Sequence, residues 1–329
     1  MNLSDFDYHL PKELIAQRPL KERQSCRLMV VDRAAGTISH RIFADVPGYF
    51  SKGDAIVIND TKVLTCRLIG KRASGGKVEL FLLSARPAPD GRATVCEAMI
   101  SPARVKTGET VFFSSASCLV SARNEVTFPG MGIEDVYALG RIPLPPYIKR
   151  EPDADDNEYY QTVYCRDPGS VAAPTAGLHF TPALLDELKG KGVDVCALTL
   201  HVGTATFKPV KVDDITQHVM GSESYSIPQA TRDILSRDPR TCAVGTTACR
   251  SLESWAAEGK EQGATTLFIY PGYRFRVVDR MLTNFHLPKT TLFMLVCALG
   301  GYDLMRRAYG EAVREGYRFY SYGDAMLIV

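Results

Sequence analysis

Three histidines stand where a histidine could act as an acid or a base: His179, His201 and His286. Each is flanked by Thr, Gly or Asn and falls at the end of an apolar run. Histidine changes charge close to neutral pH, so small changes in surroundings decide whether it gives or takes a proton. One such histidine is more often a satisfied structural residue; three in like settings point to a site. Other chemistries leave no trace. The spacings H-x-x-x-H, C-x-x-C and H-E-x-x-H are absent, so no structural metal is expected. A Walker A loop, G-x-G-x-x-G and a G-x-S-x-G elbow are also missing, which argues against ordinary nucleotide, dinucleotide and serine-hydrolase chemistry. One anion-binding signal remains. Gly245-Thr246-Thr247 lies between an apolar strand and a helix, where N–H groups and hydroxyls favour a carboxylate or phosphate. Threonine also caps many helices for structural reasons alone.

The elements that must hold these residues can be read around 169–210. Thr181 is a good N-cap and Pro182 suits the first helical turn. Leu184, Leu185 and Leu188 recur at helical spacing, and Gly190 and Gly192 end the helix. Residues 193–202 form an apolar strand that delivers His201. Another buried strand, 54–58, runs straight into Asn59-Asp60-Thr61. Those polar residues are either part of a site or an Asx-turn. Strands at 27–32, 37–40, 224–227, 241–244 and 265–270 follow the same logic, as does a strand at the end of the chain. Helices are expected over 11–17, 159–164, 228–236, 245–258, 289–299 and 304–314. Alternating strands and helices argue an α/β main domain, a mixed sheet with flanking helices, whose ligands bind beyond the carboxyl ends of strands. Between 63 and 147 the character changes. Short alternating strands, DVYAL at 135–139 among them, are separated by Gly, Pro and Ser turns and suggest a small barrel or sandwich. The expected organisation is a discontinuous main domain, 1–62 and 148–329, interrupted by an all-β insert, 63–147.

At 329 residues the chain can form two cores. Its net charge is +2, but 61–150 carries 13 Lys and Arg against 7 Asp and Glu. A local basic excess suits a polyanion such as RNA, and equally a solvated surface. Nine scattered Cys without paired spacing predict reduced thiols and a cytoplasmic location. The opening residues NLSDFDYHL hold no apolar run, so no secretory leader is expected, and no apolar run is long enough to span a bilayer.

Several long motifs resemble one family. They are DYHLPKELIAQRP (7–19), NDTKV (59–63), GRIPLPPYI (140–148), APTAGLHFT (173–181) and TLHVG (199–203), followed by GTTACRSLE (245–253), FIYPGYRF (268–275), LTNFHLPKTTLFMLV (282–296) and YSYGDAMLI (320–328). In this order and end to end, the chain resembles the S-adenosylmethionine:tRNA ribosyltransferase-isomerases of queuosine biosynthesis. One position departs from that pattern: where similar proteins usually have Gly, this chain has Ala205, which would be strained if the backbone there needs a positive φ.

The resemblance implies a β-barrel inserted into an α/β domain. It also implies S-adenosylmethionine as a ribosyl-donating cosubstrate, tRNA bearing 7-aminomethyl-7-deazaguanine as acceptor, no metal, and a monomer. Such a reaction needs a base for the ribose C5′ proton and an acid for departing adenine. Under that reading His179 or His201 is the candidate base and Asp60 the candidate acid. Asn59, Thr61, Thr175 and Gly177 belong to the same polar loop ends. Thr246, Thr247 and Arg250 are expected to hold the methionine carboxylate, Tyr270 and Tyr273 to stack on a base, and His286 with Asn284 to serve the ribose or acceptor base. Lys71, Arg72 and Lys77 are the candidate RNA-binding residues. Two rivals remain: an S-adenosylmethionine-dependent RNA methyltransferase, disfavoured by the missing Gly-rich loop, and a non-catalytic RNA-binding protein.

Overall fold

The computed structural model describes residues 1–203 and 209–329. Ala205 therefore lies outside the described residues. The chain divides into two compact units. One comprises Met1–Lys62, Pro146–Arg150 and Tyr159–Val329, and the other Val63–Pro145 with Glu151–Glu158.

The first unit is built on a mixed sheet that is nine-stranded among the described residues. Its centre is four mutually parallel strands, in the spatial order Asp194–Leu200, Ala55–Asn59, Thr241–Val244 and Arg280–Asn284. Ala325–Ile328 lies antiparallel to the last of these and parallel to Arg27–Asp32, which forms a hairpin with Thr37–Ile42. Glu223–Ser226 and Gln262–Thr265 extend the other side in antiparallel fashion. Alternate residues of the central strands enter two different cores. Val57, Ala243, Met281 and Met326 pack with the helices Thr246–Glu258, Thr291–Gly300 and Tyr302–Arg314. Ile56, Ile58, Val244, Leu282 and Leu327 pack with the helix Pro182–Gly190. Both faces are covered, which is why these strands read as continuous apolar runs rather than alternating ones. The Pro182–Gly190 helix starts as its sequence dictates: Thr181 Oγ1 accepts from the Leu184 N–H at 3.2 Å.

The second unit is a closed six-stranded antiparallel barrel, with strands in the spatial order Glu125–Pro129, Ala93–Ser101, Lys77–Pro87, Arg67–Arg72, Thr110–Phe112 and Ser117–Ala122. Its inward positions, among them Leu68, Val78, Leu80, Leu82, Cys96, Val111 and Phe128, are buried. Each such side chain contributes about 1.5–3 kcal/mol when fully buried. The fold is thus an α/β domain with an inserted small all-β barrel.

Four local expectations are corrected. Residues 135–139 are not a strand: Ile133–Ala138 is helical, because Asp135 caps the Gly132 N–H and acids fill the first turn. The helix expected at 11–17 shrinks to one 3-10 turn, Lys12–Leu14, since Leu14 and Ala16 spend their backbone groups on Phe319. Helix is found at Asp156–Tyr159 and not through 164. The strand expected at 265–270 ends at Thr265, where the threonine Oγ1 takes the Leu267 N–H in place of a ladder partner.

Candidate active site

The four parallel strands all point their carboxyl ends to one edge of the sheet. Leu200 leads into His201, Asn59 into Asp60 and Thr61, Val244 into Gly245-Thr246-Thr247, and Asn284 into Phe285-His286. Ala325–Ile328 runs the opposite way, so the residues before it, Tyr320 and Ser321, arrive at the same edge. A cavity partly open to solvent lies there. Its polar wall is Thr175, Thr246, Thr247, Thr283, Asn284, His286 and Ser321, and its apolar wall includes Ala172, Val202, Phe285 and Leu292. Tyr147, Tyr160 and Tyr320 complete it. Thr246 and Thr247 open a 13-residue helix whose first N–H groups have no partner within the helix, so that side of the cavity favours negative charge. Tyr320 sits at φ 73°, a left-handed conformation that a non-glycine residue adopts only when its surroundings enforce it. Its N–H donates to Phe285 O, and its ring stands edge-on to Tyr147, whose hydroxyl meets Ser321 Oγ at 2.5 Å.

The three histidines are not equivalent. His286 lines the cavity and bonds Thr283 Oγ1 through Nε2 at 2.9 Å. Burial pushes its pKa down to about 3, so it is neutral at physiological pH. Its Nδ1 has no hydrogen-bond partner among the described residues. His179 is one step removed: its Nε2 meets Asn284 Nδ2 at 3.0 Å and its Nδ1 meets Cys26 Sγ at 3.2 Å. Burial, with Arg318 and Arg23 nearby, pushes it to about 3 as well. His201 faces Thr61, Nδ1 to Oγ1 at 2.8 Å, with Gly169 against its ring; a Cβ on Gly169 would come within 2.6 Å.

The other predicted residues divide sharply. Thr175, Thr246, Thr247, Asn284 and His286 come together around the cavity. Asn59 is fully buried and works mainly on the backbone: Oδ1 accepts from the Leu200 and Thr61 N–H groups, and Nδ2 donates to Leu200 O and reaches the cavity residue Thr247 at Oγ1, 3.4 Å away. That is the Asx-turn alternative, extended across two strands. Asp60 does not line the cavity. Its two oxygens are taken by Thr199 Oγ1 at 2.7 Å and Arg166 Nη2 at 2.8 Å, the contacts of a charged acceptor and not of a proton donor. Gly177 is a close-approach residue, since a Cβ would lie 1.9 Å from the Tyr164 hydroxyl. Arg250 is buried against Glu223 and lines a separate, neighbouring hollow that shares Leu292 with the cavity. Its Nη2 is buried and has no hydrogen-bond partner among the described residues. Tyr270 and Tyr273 lie on a half-exposed surface with Phe268 and Phe275, away from the cavity. Lys71, Arg72 and Lys77 are on the barrel.

A family model described as "Queuosine biosynthesis protein" matches residues 3–328. The chain belongs to this family. Similar proteins include the S-adenosylmethionine:tRNA ribosyltransferase-isomerases of Sulfurihydrogenibium sp. and Symbiobacterium thermophilum, each 48% identical over the whole of both chains. Among solved structures, the S-adenosylmethionine tRNA ribosyltransferase of Thermotoga maritima is similar at 34% identity and a TM-score of 0.57, covering 99% of this chain and 100% of its own.

In this queuosine biosynthesis protein, sequence reasoning missed Thr283, Tyr320 and Ser321 as cavity residues. Tyr320 and Ser321 open the YSYGDAMLI motif, yet nothing local marks them: they reach the site through the antiparallel pairing of the last strand. Among the described residues no cluster of three or more His, Cys, Asp or Glu is placed to hold a metal, and no helix is long and apolar enough to cross a membrane.

Proposed function

We propose that this chain is an S-adenosylmethionine:tRNA ribosyltransferase-isomerase. It transfers and isomerises the ribosyl group of S-adenosylmethionine onto 7-aminomethyl-7-deazaguanine at the tRNA wobble position, giving epoxyqueuosine in tRNA, adenine and methionine. The observation that carries the reading is full-length membership of the family together with 48% identity to relatives of that name. The cavity suits a ligand that joins an aromatic base, a sugar and a carboxylate. Its tyrosines can hold a base by face or edge. The Thr246-Thr247 helix start suits the methionine carboxylate, and Arg250, paired with Glu223 beside the adjoining hollow, remains the candidate second donor.

The geometry favours His286 as the group nearest the chemistry. If Nε2 carries its proton and donates to Thr283, Nδ1 keeps a free lone pair at the cavity and can take a proton. The adjacent sulfonium acidifies the C5′–H, so a neutral imidazole can take that proton even though burial and the substrate's positive charge both hold the imidazole's own pKa down. His179 and His201 then support the site, and Asp60 holds Arg166 and Thr199. Tyr270 and Tyr273 remain candidates for stacking on splayed tRNA bases. Lys71 and Lys77 are exposed and directly opposite each other across two barrel strands, a like-charge pair that a phosphate backbone would relieve. Arg72 is instead held by Glu109 through both guanidinium branches. The unpaired thiols, all buried but Cys165, suit a reducing compartment and support a cytoplasmic location.

The test uses S-adenosylmethionine labelled in both ribose and methyl, with tRNA bearing the aminomethyl-deazaguanine. Ribose label entering tRNA with release of adenine is the expected outcome, and His286→Ala should slow the single turnover by about 10²–10⁴-fold. Methyl label in tRNA would replace the reading with a methyltransferase. Tight tRNA binding with no label transferred would leave a binding protein.

A further inference from the structure

A chain of four side chains joins the interior to the cavity wall: Cys26, His179, Asn284 and Thr175. The links are Cys26 Sγ to His179 Nδ1 at 3.2 Å, His179 Nε2 to Asn284 Nδ2 at 3.0 Å, and Thr175 Oγ1 to Asn284 Oδ1 at 2.8 Å. Cys26, His179 and Asn284 are buried, whereas Thr175 and Asn284 line the cavity. Cys26 stands just before the strand Arg27–Asp32, and Asn284 closes the strand Arg280–Asn284. The fold therefore commits residues from three distant segments to one line of hydrogen bonds.

The direction of each bond follows from the donors and acceptors available. The Asn284 amide nitrogen can only donate, so His179 Nε2 accepts and is unprotonated. A neutral imidazole then carries its proton on Nδ1 and donates it to Cys26 Sγ. The Asn284 oxygen can only accept, so Thr175 gives it its hydroxyl proton. Thr175 is left facing the cavity with lone pairs alone. Reversing the histidine tautomer reverses every link: Nε2–H would call for the amide oxygen, the amide nitrogen would turn to Thr175, and the threonine would present a proton to the cavity instead.

We propose that Cys26 is a positioning residue which, by accepting the Nδ1 proton of His179, fixes the Asn284 amide and makes Thr175 an acceptor for an N–H or O–H group of the bound substrate. This rests on the ribosyl-transfer reading for the identity of that group, which is a sugar hydroxyl or a base amine, but the tautomer itself does not depend on it. The thiol acts as a neutral partner and not as a nucleophile, since burial pushes it far above its ordinary pKa and His179 far below. Cys26 and His179 therefore hold no thiolate–imidazolium pair at neutral pH.

The experiment combines ¹⁵N NMR of the histidine ring with single-turnover kinetics. Wild-type protein should show His179 protonated at Nδ1 and unprotonated at Nε2. Cys26→Val removes the acceptor at the cost of about one extra methyl group, and Cys26→Ala, which is smaller than cysteine, gives a second test in case the valine disturbs packing. Either folded variant should lose the pure Nδ1–H signature, raise the KM for S-adenosylmethionine about tenfold through one lost neutral hydrogen bond, and change kcat less. Cys26→Ser should restore both the signature and the KM. An Nε2–H tautomer in wild type would overturn the proposal. So would folded Val and Ala variants with an unchanged tautomer, whether or not their rates fall, because a slower enzyme with the same tautomer means packing alone. Failure of the ribosyl-transfer reading is seen separately, as absence of adenine release from wild-type protein with an intact Nδ1–H signature.

Discussion

In the barrel, the side chains that turn inward are apolar, Leu68, Val78, Leu80, Leu82, Val111, Val120, Val126 and Phe128 among them, with the exception of Thr94, whose hydroxyl donates to Met131 O. Its charges stay outside and pair across strands, as Arg67 does with Glu79 and Arg72 with Glu109. At the strand ends of the main sheet the buried residues are Asn59, Asp60, Thr61, His179, Thr246, Asn284 and His286. Most of those groups, taken out of water, are satisfied by protein partners that set their direction, as Asn59, Asp60, Thr61, His179 and Asn284 are. The contrast teaches where function can be held in this molecule. A core that excludes polar atoms is stable but chemically silent, and an edge that buries them costs stability and sets geometry.

The largest expected effect breaks this contrast at Glu253, which lies in the main unit on the helix Thr246–Glu258. Its buried carboxylate accepts from the N–H groups of Arg276, Val277 and Val278 and from the Tyr273 hydroxyl. It thereby holds the segment after Thr265 that lacks strand pairing. Glu253→Ala leaves three backbone donors without their acceptor, at about 1–3 kcal/mol each. Because Arg276 and Val277 are partly open to water, urea unfolding should show a loss in the lower part of that sum, roughly 3–6 kcal/mol. A loss under about 1 kcal/mol would mean that water replaces the carboxylate and that the site edge is wetter than its burial implies.

A smaller effect comes from the two buried histidines. Unfolded, each takes up a proton near its ordinary 6.5; folded, each resists until about 3. Between those values the unfolded state binds more protons, so stability is full above about pH 6.5 and falls as the pH drops toward 3. At pH 5 the loss should be about 2 kcal/mol for each histidine relative to pH 7. His179→Gln and His286→Gln, compared with wild type by denaturant unfolding at both pH values, should each flatten that dependence. An unchanged slope in both variants would show that these imidazoles are protonated in the folded protein.

The sequence was unevenly informative along the same line. Apolar runs and the Thr181-Pro182 start are local features, and they specified the sheet and the flanking helix. The barrel's alternation was equally local, except at 135–139, where one apolar–polar alternation fitted both a strand and a short helix and the Asp135 cap decided it. Thr246, Thr247, Asn284 and His286 were legible as strand-end residues because parallel strands bring their carboxyl ends together. Asp60 and Arg250 looked the same in sequence, yet Asp60 turns to Arg166 and Thr199, and Arg250 to Glu223. Partners 27 to 139 residues away made that choice, and no local pattern encodes it. The link from Cys26 to His179, 153 residues apart, was invisible for the same reason.

The smallest effect on stability should come from the barrel surface, and it sharpens the contrast from the other side. Lys71 and Lys77 face each other across the hairpin, both exposed, with no acid paired to either among the described residues. Lys77→Glu turns a like-charge pair into an opposite one, so it should stabilise the barrel slightly, by about 0.2–1 kcal/mol. If the pair exists to meet phosphates, the same change should weaken tRNA binding and lower the slope of log affinity against log salt by about one unit or more. Titration of tRNA at several salt concentrations reads both quantities. Tighter folding with weaker, less salt-dependent binding means that the barrel gives up stability at this hairpin to carry a nucleic-acid contact. Unchanged binding would assign the lysines to solvent and move the RNA surface to the main unit, where Tyr270, Tyr273, Arg274 and Arg276 lie together.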